Sequence, residues 1–291
     1  MHEETAGRAL TVDVALVPSL VRATHHRHAR TVYVVVDVIR ATTTLCVLFE
    51  RGCRRVLVAS DIAAARRARA QWHPQALLAG EVGGAMPPGF DLGNSPGQLG
   101  EYDVRGLDVL FATTNGTRAL YACQGGGTIL AGALRNARAV AAASVRAARR
   151  LAASVVDPEA DAPLWGETAA AEALSPGASD IVVVCSGSDG LPAYDDAVCA
   201  GYLVERIVEQ AALASRETML ESGAQIVHAV VRQALAEGPL YEALAGSHAA
   251  RSLEHVGLFA DVGWCAEVDA TSLVPTVTGL VGELPLIEPR W

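Results

Sequence analysis

The sequence predicts an α/β protein, with helices layered on both faces of a largely parallel or mixed sheet (α/β/α). Three observations carry that prediction. Short apolar runs alternate with Ala-rich stretches of helical length along the chain. Runs such as "VYVVV" (32–36) are apolar at every position, as strands covered on both faces must be. Most runs give way to small, hydroxylated or acidic residues, the sequence form of a strand passing into a loop and a helix N-terminus.

Each element follows in order. "TVDVALV" (11–17) alternates and reads as an edge strand, and 32–36 as a buried one. "RVLVAS" (55–60) leads into an Ala/Arg helix near 61–71, with Ser60 or Asp61 as its N-cap. "ALLAG" (76–80) precedes the Gly/Pro-rich loop "EVGGAMPPGFDLGNSPG", and "DVLFAT" (108–113) runs into "TNGTRALYAC". "GTILAGAL" (127–134) is followed by Asn136, a cap for a long helix over 137–153. Residues 156–179, rich in Pro and acids, read as an inserted loop within a single domain spanning 1–291. After "DIVVVCSGSDG" (180–190), helices are expected over 195–213 and 217–237, and Ser247 caps another that ends at Gly257. The tail "VDATSLVPTVTG" is less regular.

Composition narrows the function. With 291 residues, 51% hydrophobic and 19% charged, the chain can bury a sizeable core. A formal charge of −9 argues against nucleic acid or an anionic membrane as partner. All 23 basic side chains are Arg, which excludes a Schiff-base lysine or a lysine-bearing P-loop. The six cysteines are scattered without a C-x-x-C pair and read as small buried hydrophobes in a reducing compartment. No signal peptide or apolar span of membrane length is evident, so the expected location is the cytoplasm. The oligomeric state stays open between monomer and homodimer.

In α/β sheets, ligands gather at the carboxyl ends of strands. Three such ends are unusually polar here: "VVVDVIRATTT", "VLFATTNGT" and "VVVCSGSDG". Asp37 suits a metal ligand, a base or a helix cap, and Arg40 either clamps an anion or neutralises Asp37. Thr42, Thr43 and Thr44 divide between donating and capping. In "ATTNGT", Thr113, Thr114, Asn115, Gly116 and Thr117 form a donor-rich turn suited to phosphate. Glu81 and Asp91, on a glycine-rich loop, suit a hard cation such as Mg²⁺. Asp195 and Asp196 fall in the first turn of a helix, where its dipole alone would favour acids. His25, His26 and His28 read as a surface loop, and His228, His248 and His255 as helix-surface residues. Hydrolase elbows, zinc motifs and the Rossmann fingerprint are missing, and Ile39 stands where a D-x-D phosphatase has its second acid.

"VVVDVIRATTT", "GEVGGAMPPGFDLGNSP", "TTNGTRAL", "VCSGSDG…DDAVCAG" and "SLEHVGLFADVGWCAEVD", in that order, resemble the 2-phosphosulfolactate phosphatase (ComB) family. The resemblance implies a Mg²⁺-dependent α/β phosphatase that converts 2-phospho-3-sulfolactate to 3-sulfolactate and phosphate, a step of coenzyme M biosynthesis. It implies catalytic roles for Asp37, Arg40, Glu81 and Asp196, and metal ligation by some of Asp37, Glu81, Asp91 and Asp196. Arg40, Thr42, Thr43, Thr114, Asn115, Gly116, Thr117, Ser186 and Gly187 would bind the phosphorylated substrate. Arg118 and the "SGS" turn at 186–188 are candidates for the sulfonate. Direct attack by water is the expected chemistry, with an aspartyl-phosphate at Asp37 as its rival. Two other functions stay open: a phosphatase of another small phosphorylated hydroxy acid, or a non-catalytic binder of a phosphorylated metabolite.

Overall fold

The computed structural model describes residues 9–21, 28–71, 73–153 and 180–290. The stretch 156–179, together with His25 and His26, lies outside them. The strands are β1 (Leu10–Ala15), β2 (Val32–Val36), β3 (Arg55–Val58), β4 (Leu77–Gly80), β5 (Asp108–Ala112), β6 (Thr128–Gly132), β7 (Ile181–Cys185), β8 (Thr218–Leu220), β9 (Val274–Val281) and β10 (Leu284–Arg290). The helices are α1 (Ala41–Glu50), α2 (Ile62–Gln71), α3 (Gly116–Ala122), α4 (Ala137–Ala153), α5 (Tyr194–Leu213), α6 (Ser222–Glu237), α7 (Leu240–Ala245), α8 (His248–His255) and α9 (Asp261–Ala266).

All ten strands share one mixed sheet, in the order β4-β5-β3-β10-β9-β6-β2-β7-β1-β8. It consists of two parallel blocks. β6, β2, β7, β1 and β8 form one, and β4, β5 and β3 the other. The antiparallel β9–β10 hairpin joins them, with β10 antiparallel to β3 and β9 antiparallel to β6. Three antiparallel pairings in succession mean that the two blocks run in opposite senses.

Side chains alternate across the sheet with the period of two that strands impose. On one face, Tyr33 and Val35 of β2 share a core with Leu45 and Leu48 of α1 and Leu120 of α3. Val34 and Val36 of the same strand pack with Val140 of α4 and Leu203 of α5. Leu57 and Leu110 pack with Ala65 and Ala68 of α2 in a third cluster. Helices therefore cover both faces, as the uniformly apolar β2 requires. Each fully buried Leu or Val stabilises the fold by about 1.5–3 kcal/mol relative to exposure.

The structure corrects three sequence expectations. β1 lies between β7 and β8 instead of at the edge, and the edge belongs to β8, inside the span read as the helix 217–237. That helix begins only at Ser222. The irregular tail is a long hairpin in the middle of the sheet, whose Pro275, Pro285 and Pro289 argue against a strand when read alone.

Candidate active site

The first wall of the site is the turn after β2. Ala41 N donates to Asp37 Oδ1 (3.1 Å), and the Ile39–Arg40 peptide within this turn is cis. The Thr42 hydroxyl donates to the Asp37 carbonyl (2.9 Å) and accepts from the Asp37 amide (3.2 Å). Thr43 Oγ1 donates to the Val38 carbonyl (2.9 Å). Both hydroxyl protons are thus committed to tightening the entry to α1. The Thr44 hydroxyl is buried and has no partner among the described residues.

The second wall comes from β4 and β5. Thr114 N donates to Glu81 Oε1 (2.7 Å) and Gly84 N to Glu81 Oε2 (2.8 Å), so Glu81 ties the 113–117 turn to its own loop. Thr113 and Thr117 exchange backbone and hydroxyl bonds. Asn115 occupies the N-cap position of α3 without a side-chain capping bond. Gly116 then meets the first wall. A Cβ on it would lie 2.7 Å from Ala41 Cβ and 2.8 Å from Asp37 Oδ2. In a flat sheet, blocks of opposite sense would place the ends of β2 and β5 on opposite edges. The close approach of Gly116 to Ala41 and Asp37 shows that the two ends nevertheless meet.

The third wall is the start of α5 with the end of β7. Val38 N (3.0 Å) and Gly187 N (2.9 Å) donate to the two oxygens of Asp196. Asp195 is buried beside it, and Ser186 presents a buried hydroxyl without a partner among the described residues. Burial, reinforced by Glu81, lifts the Asp37 carboxyl to about 6 against the pull of Ala41 N–H and Arg40. Burial and then the charge of Asp37 lift Asp195 to about 7. Burial and both neighbouring aspartates push Asp196 well above the usual carboxylate range.

Other predicted residues have different company. Arg40 is buried, with Nη1 donating to Asp261 Oδ2 (2.7 Å) and Nη2 to the Gly84 carbonyl (2.6 Å). Asp91 is held by Arg69 of α2 (2.7 Å) and Leu78 N (2.8 Å). Arg118 is exposed on α3. His28 bridges the Tyr33 hydroxyl and the Gln124 carbonyl. All six cysteines are free and buried. Sequence reasoning missed Asp261, which also accepts from Ser95 Oγ (2.8 Å) and Gly97 N (3.1 Å). The signal was an acid inside the apolar run "GLFADVGWC".

The sequence profile of the 2-phosphosulpholactate phosphatase family matches residues 18–156 and 164–279. The chain belongs to that family. A probable 2-phosphosulfolactate phosphatase of Thermus thermophilus is 36% identical over 252 residues, covering 87% of this chain and 90% of the relative. The Deinococcus radiodurans protein of the same description is 34% identical over 251 residues, 86% of this chain and 89% of its own. One from Pseudothermotoga lettingae is 30% identical over 264 residues, 91% and 94% respectively. Membership of the 2-phosphosulpholactate phosphatase family makes the chain one of the phosphoric monoester hydrolases. None of the helices among the described residues is long and apolar enough to cross a membrane.

For a member of this family, the fit of a hard cation can be tested on the donor set. Among the described residues, no three His, Cys, Asp or Glu side chains form a ready-made metal cage. Mg²⁺ does not need one, since it is commonly held by one or two carboxylates, waters and substrate phosphate. Asp37 and Asp195 are buried oxygen donors, Asp37 raised by burial and Glu81, and Asp195 by burial and Asp37, and the nearby Arg40 is already paired with Asp261. A cation would relieve that excess of negative charge, so the residues fit. Asp91 fits least, because Arg69 already neutralises it.

Proposed function

We propose that this protein hydrolyses 2-phospho-3-sulfolactate to 3-sulfolactate and inorganic phosphate with Mg²⁺, as in coenzyme M biosynthesis. The observation that supports this most is the meeting of Asp37 with the Gly116 turn, in a chain aligned to the family over most of its length. Asp37 and the acidic start of α5 would hold the ion, which when bound neutralises phosphate charge and acts as a Lewis acid. The turn at 115–116 would orient the phosphate through backbone N–H groups, and Glu81 keeps that turn in place by accepting from the Thr114 amide. Arg40 lends positive charge from behind Asp37 while its guanidinium stays clamped. The oxygen of water bonds to phosphorus as the ester P–O bond breaks. The electron pair of that bond stays on the leaving oxygen, which takes a proton from solvent, and a site carboxylate accepts the proton of the water.

Phosphate release from phosphosulfolactate, compared between Mg²⁺ and EDTA, tests the reading directly. No release under either condition would leave only the binding role. Turnover of a substrate carrying a chiral phosphoryl group should invert the configuration at phosphorus, as one direct displacement by water does. Retention would instead indicate two displacements through an aspartyl-phosphate at Asp37.

A second substrate, a phosphorylated hydroxy acid bearing a carboxylate, is favoured by one feature. Val82, 57% exposed directly after Glu81, offers no cation where a sulfonate would profit from one. Comparing phosphosulfolactate with phospholactate and phosphoglycerate separates the two. A higher kcat/KM on either carboxylate ester would displace the sulfonate assignment.

A further inference from the structure

Two adjacent carboxylates open α5, and the protein itself uses only one of them. Asp196 accepts from Val38 N and Gly187 N, one amide on each oxygen. It thereby bolts the end of β7 to the turn that carries Asp37. Asp195 is just as buried, 3% exposed like Asp196, yet no other described residue donates a hydrogen bond to its carboxylate. The charged group that it feels is Asp37, another acid. The backbone amide of Asp195 itself is the donor that lowers it. A buried carboxylate met by no more than that, with no arginine, costs several kcal/mol unless something from outside the chain meets it.

A second observation points the same way. Ser186, 3% exposed and adjacent to Gly187, has a buried hydroxyl with no hydrogen-bond partner among the described residues. Unpaired buried hydroxyls are rare in folded proteins, and this one sits at the end of β7 beside the amide that anchors Asp196. The end of β7 and the start of α5 therefore each leave a buried polar group for something else to meet, the Ser186 hydroxyl and the Asp195 carboxylate.

We propose that Asp195, and not Asp196, is the carboxylate of this pair that meets the bound cation and substrate, and that Asp196 is the strut that positions it. The assignment rests on the phosphatase reading and divides labour within its site. The sequence alone favours Asp196, because the order of the motif carries no information on which way each acid points.

The experiment compares wild type, Asp195→Asn and Asp196→Asn by three measurements: thermal midpoint without ligand, Mn²⁺ binding without substrate by calorimetry, and phosphate release. Asp195→Asn should keep or raise the midpoint, since it removes a like charge facing Asp37. It should weaken Mn²⁺ binding by about 10-fold or more and slow turnover by about 100-fold or more. Asp196→Asn should lower the midpoint by several degrees, through loss of a backbone anchor, while Mn²⁺ affinity holds. Asp195→Ser serves as a second variant should the amide disturb folding. Wild-type Mn²⁺ affinity and turnover in the Asp195 variants would overturn the proposal, as would loss of Mn²⁺ binding in Asp196→Asn at an unchanged midpoint. If the wild type releases no phosphate from phosphosulfolactate, the phosphatase reading fails. The Mn²⁺ and midpoint comparison then still decides between the two acids.

Discussion

Arg40 and Asp261 face each other in the interior, Nη1 to Oδ2 at 2.7 Å, with both side chains almost fully buried. Through the Gly84 carbonyl, Ser95 Oγ and Gly97 N, this pair joins the turn after β2, the loop after β4 and the start of α9. Breaking such a pair from one side leaves a buried charge uncompensated, at a cost of about 3–5 kcal/mol. Asp261→Asn should therefore lower the thermal midpoint by about 10 °C. Arg40→Ala should do the same and also weaken competition by inorganic phosphate, because it removes positive charge near Asp37. Calorimetry and phosphate inhibition constants check both, and an unshifted midpoint in both variants would refute the clamp.

Gly116→Ala probes the meeting of the two strand ends. The added methyl would press within 2.8 Å of both Ala41 Cβ and Asp37 Oδ2, so α3 or α1 must shift. Overpacking of this kind costs about 1–3 kcal/mol, and turnover should fall by about 10-fold or more because the displaced groups line the site. Steady-state kinetics beside a melting curve measure both effects. Unaltered kinetics would show that the contact has no bearing on the reaction.

Glu81→Gln removes one of two acceptors, since an amide can accept from Thr114 N or Gly84 N but not from both through oxygen. One amide then loses its partner, costing about 1–3 kcal/mol. Amide exchange at Gly84 or Thr114 should accelerate, and turnover should drop. Unchanged exchange at both positions would contradict the role given to Glu81.

The acid cluster sets a pH dependence whose sign is fixed. Asp37 and Asp195 titrate near 6 and 7 when folded against an ordinary value of 3.8, and Asp196 is also raised. Between those values the folded state binds protons that the unfolded chain has lost. The stability contributed by this cluster is full below about pH 4 and is lost as pH rises through 6 and 7. Without added metal, the midpoint should fall between pH 5 and 8. Asp195→Asn should flatten the slope, and Mg²⁺ should restore the midpoint at pH 8. A metal-free midpoint that rises over this range would refute the charge accounting.

All six cysteines are buried, and burial raises every one of their thiols. Thiolate is the reactive form, so the native protein should resist a disulfide reagent at pH 8 and release all six equivalents only in denaturant. Rapid reaction in the native state would show that a thiol is accessible.

Much of this was legible in the chain. Val32–Val36 announced a strand covered on both faces, and the polar endings at Asp37, Thr113 and Ser186 marked the three segments that meet. Periodicity carries no strand direction, so the opposed senses of the two blocks were hidden. Prolines concealed the hairpin. Residue type also could not tell a donating threonine from one that caps, and Thr42 and Thr43 both spend their protons on carbonyls. Asp261 lay far along the chain from Arg40, a pairing that no local pattern reveals.

The hairpin of β9 and β10 also sets an order of assembly. It is the last described stretch of sheet to be synthesised, yet it alone bridges the block bearing Asp37 to the block bearing Glu81. A nascent chain can complete each block as it emerges, but the two halves of the pocket stay unlinked through the sheet until residues 274–290 have left the ribosome. The pocket is therefore joined through the sheet only once residues 274–290 are in place. Chains halted before residue 274 should carry every acid of the site and still release no phosphate.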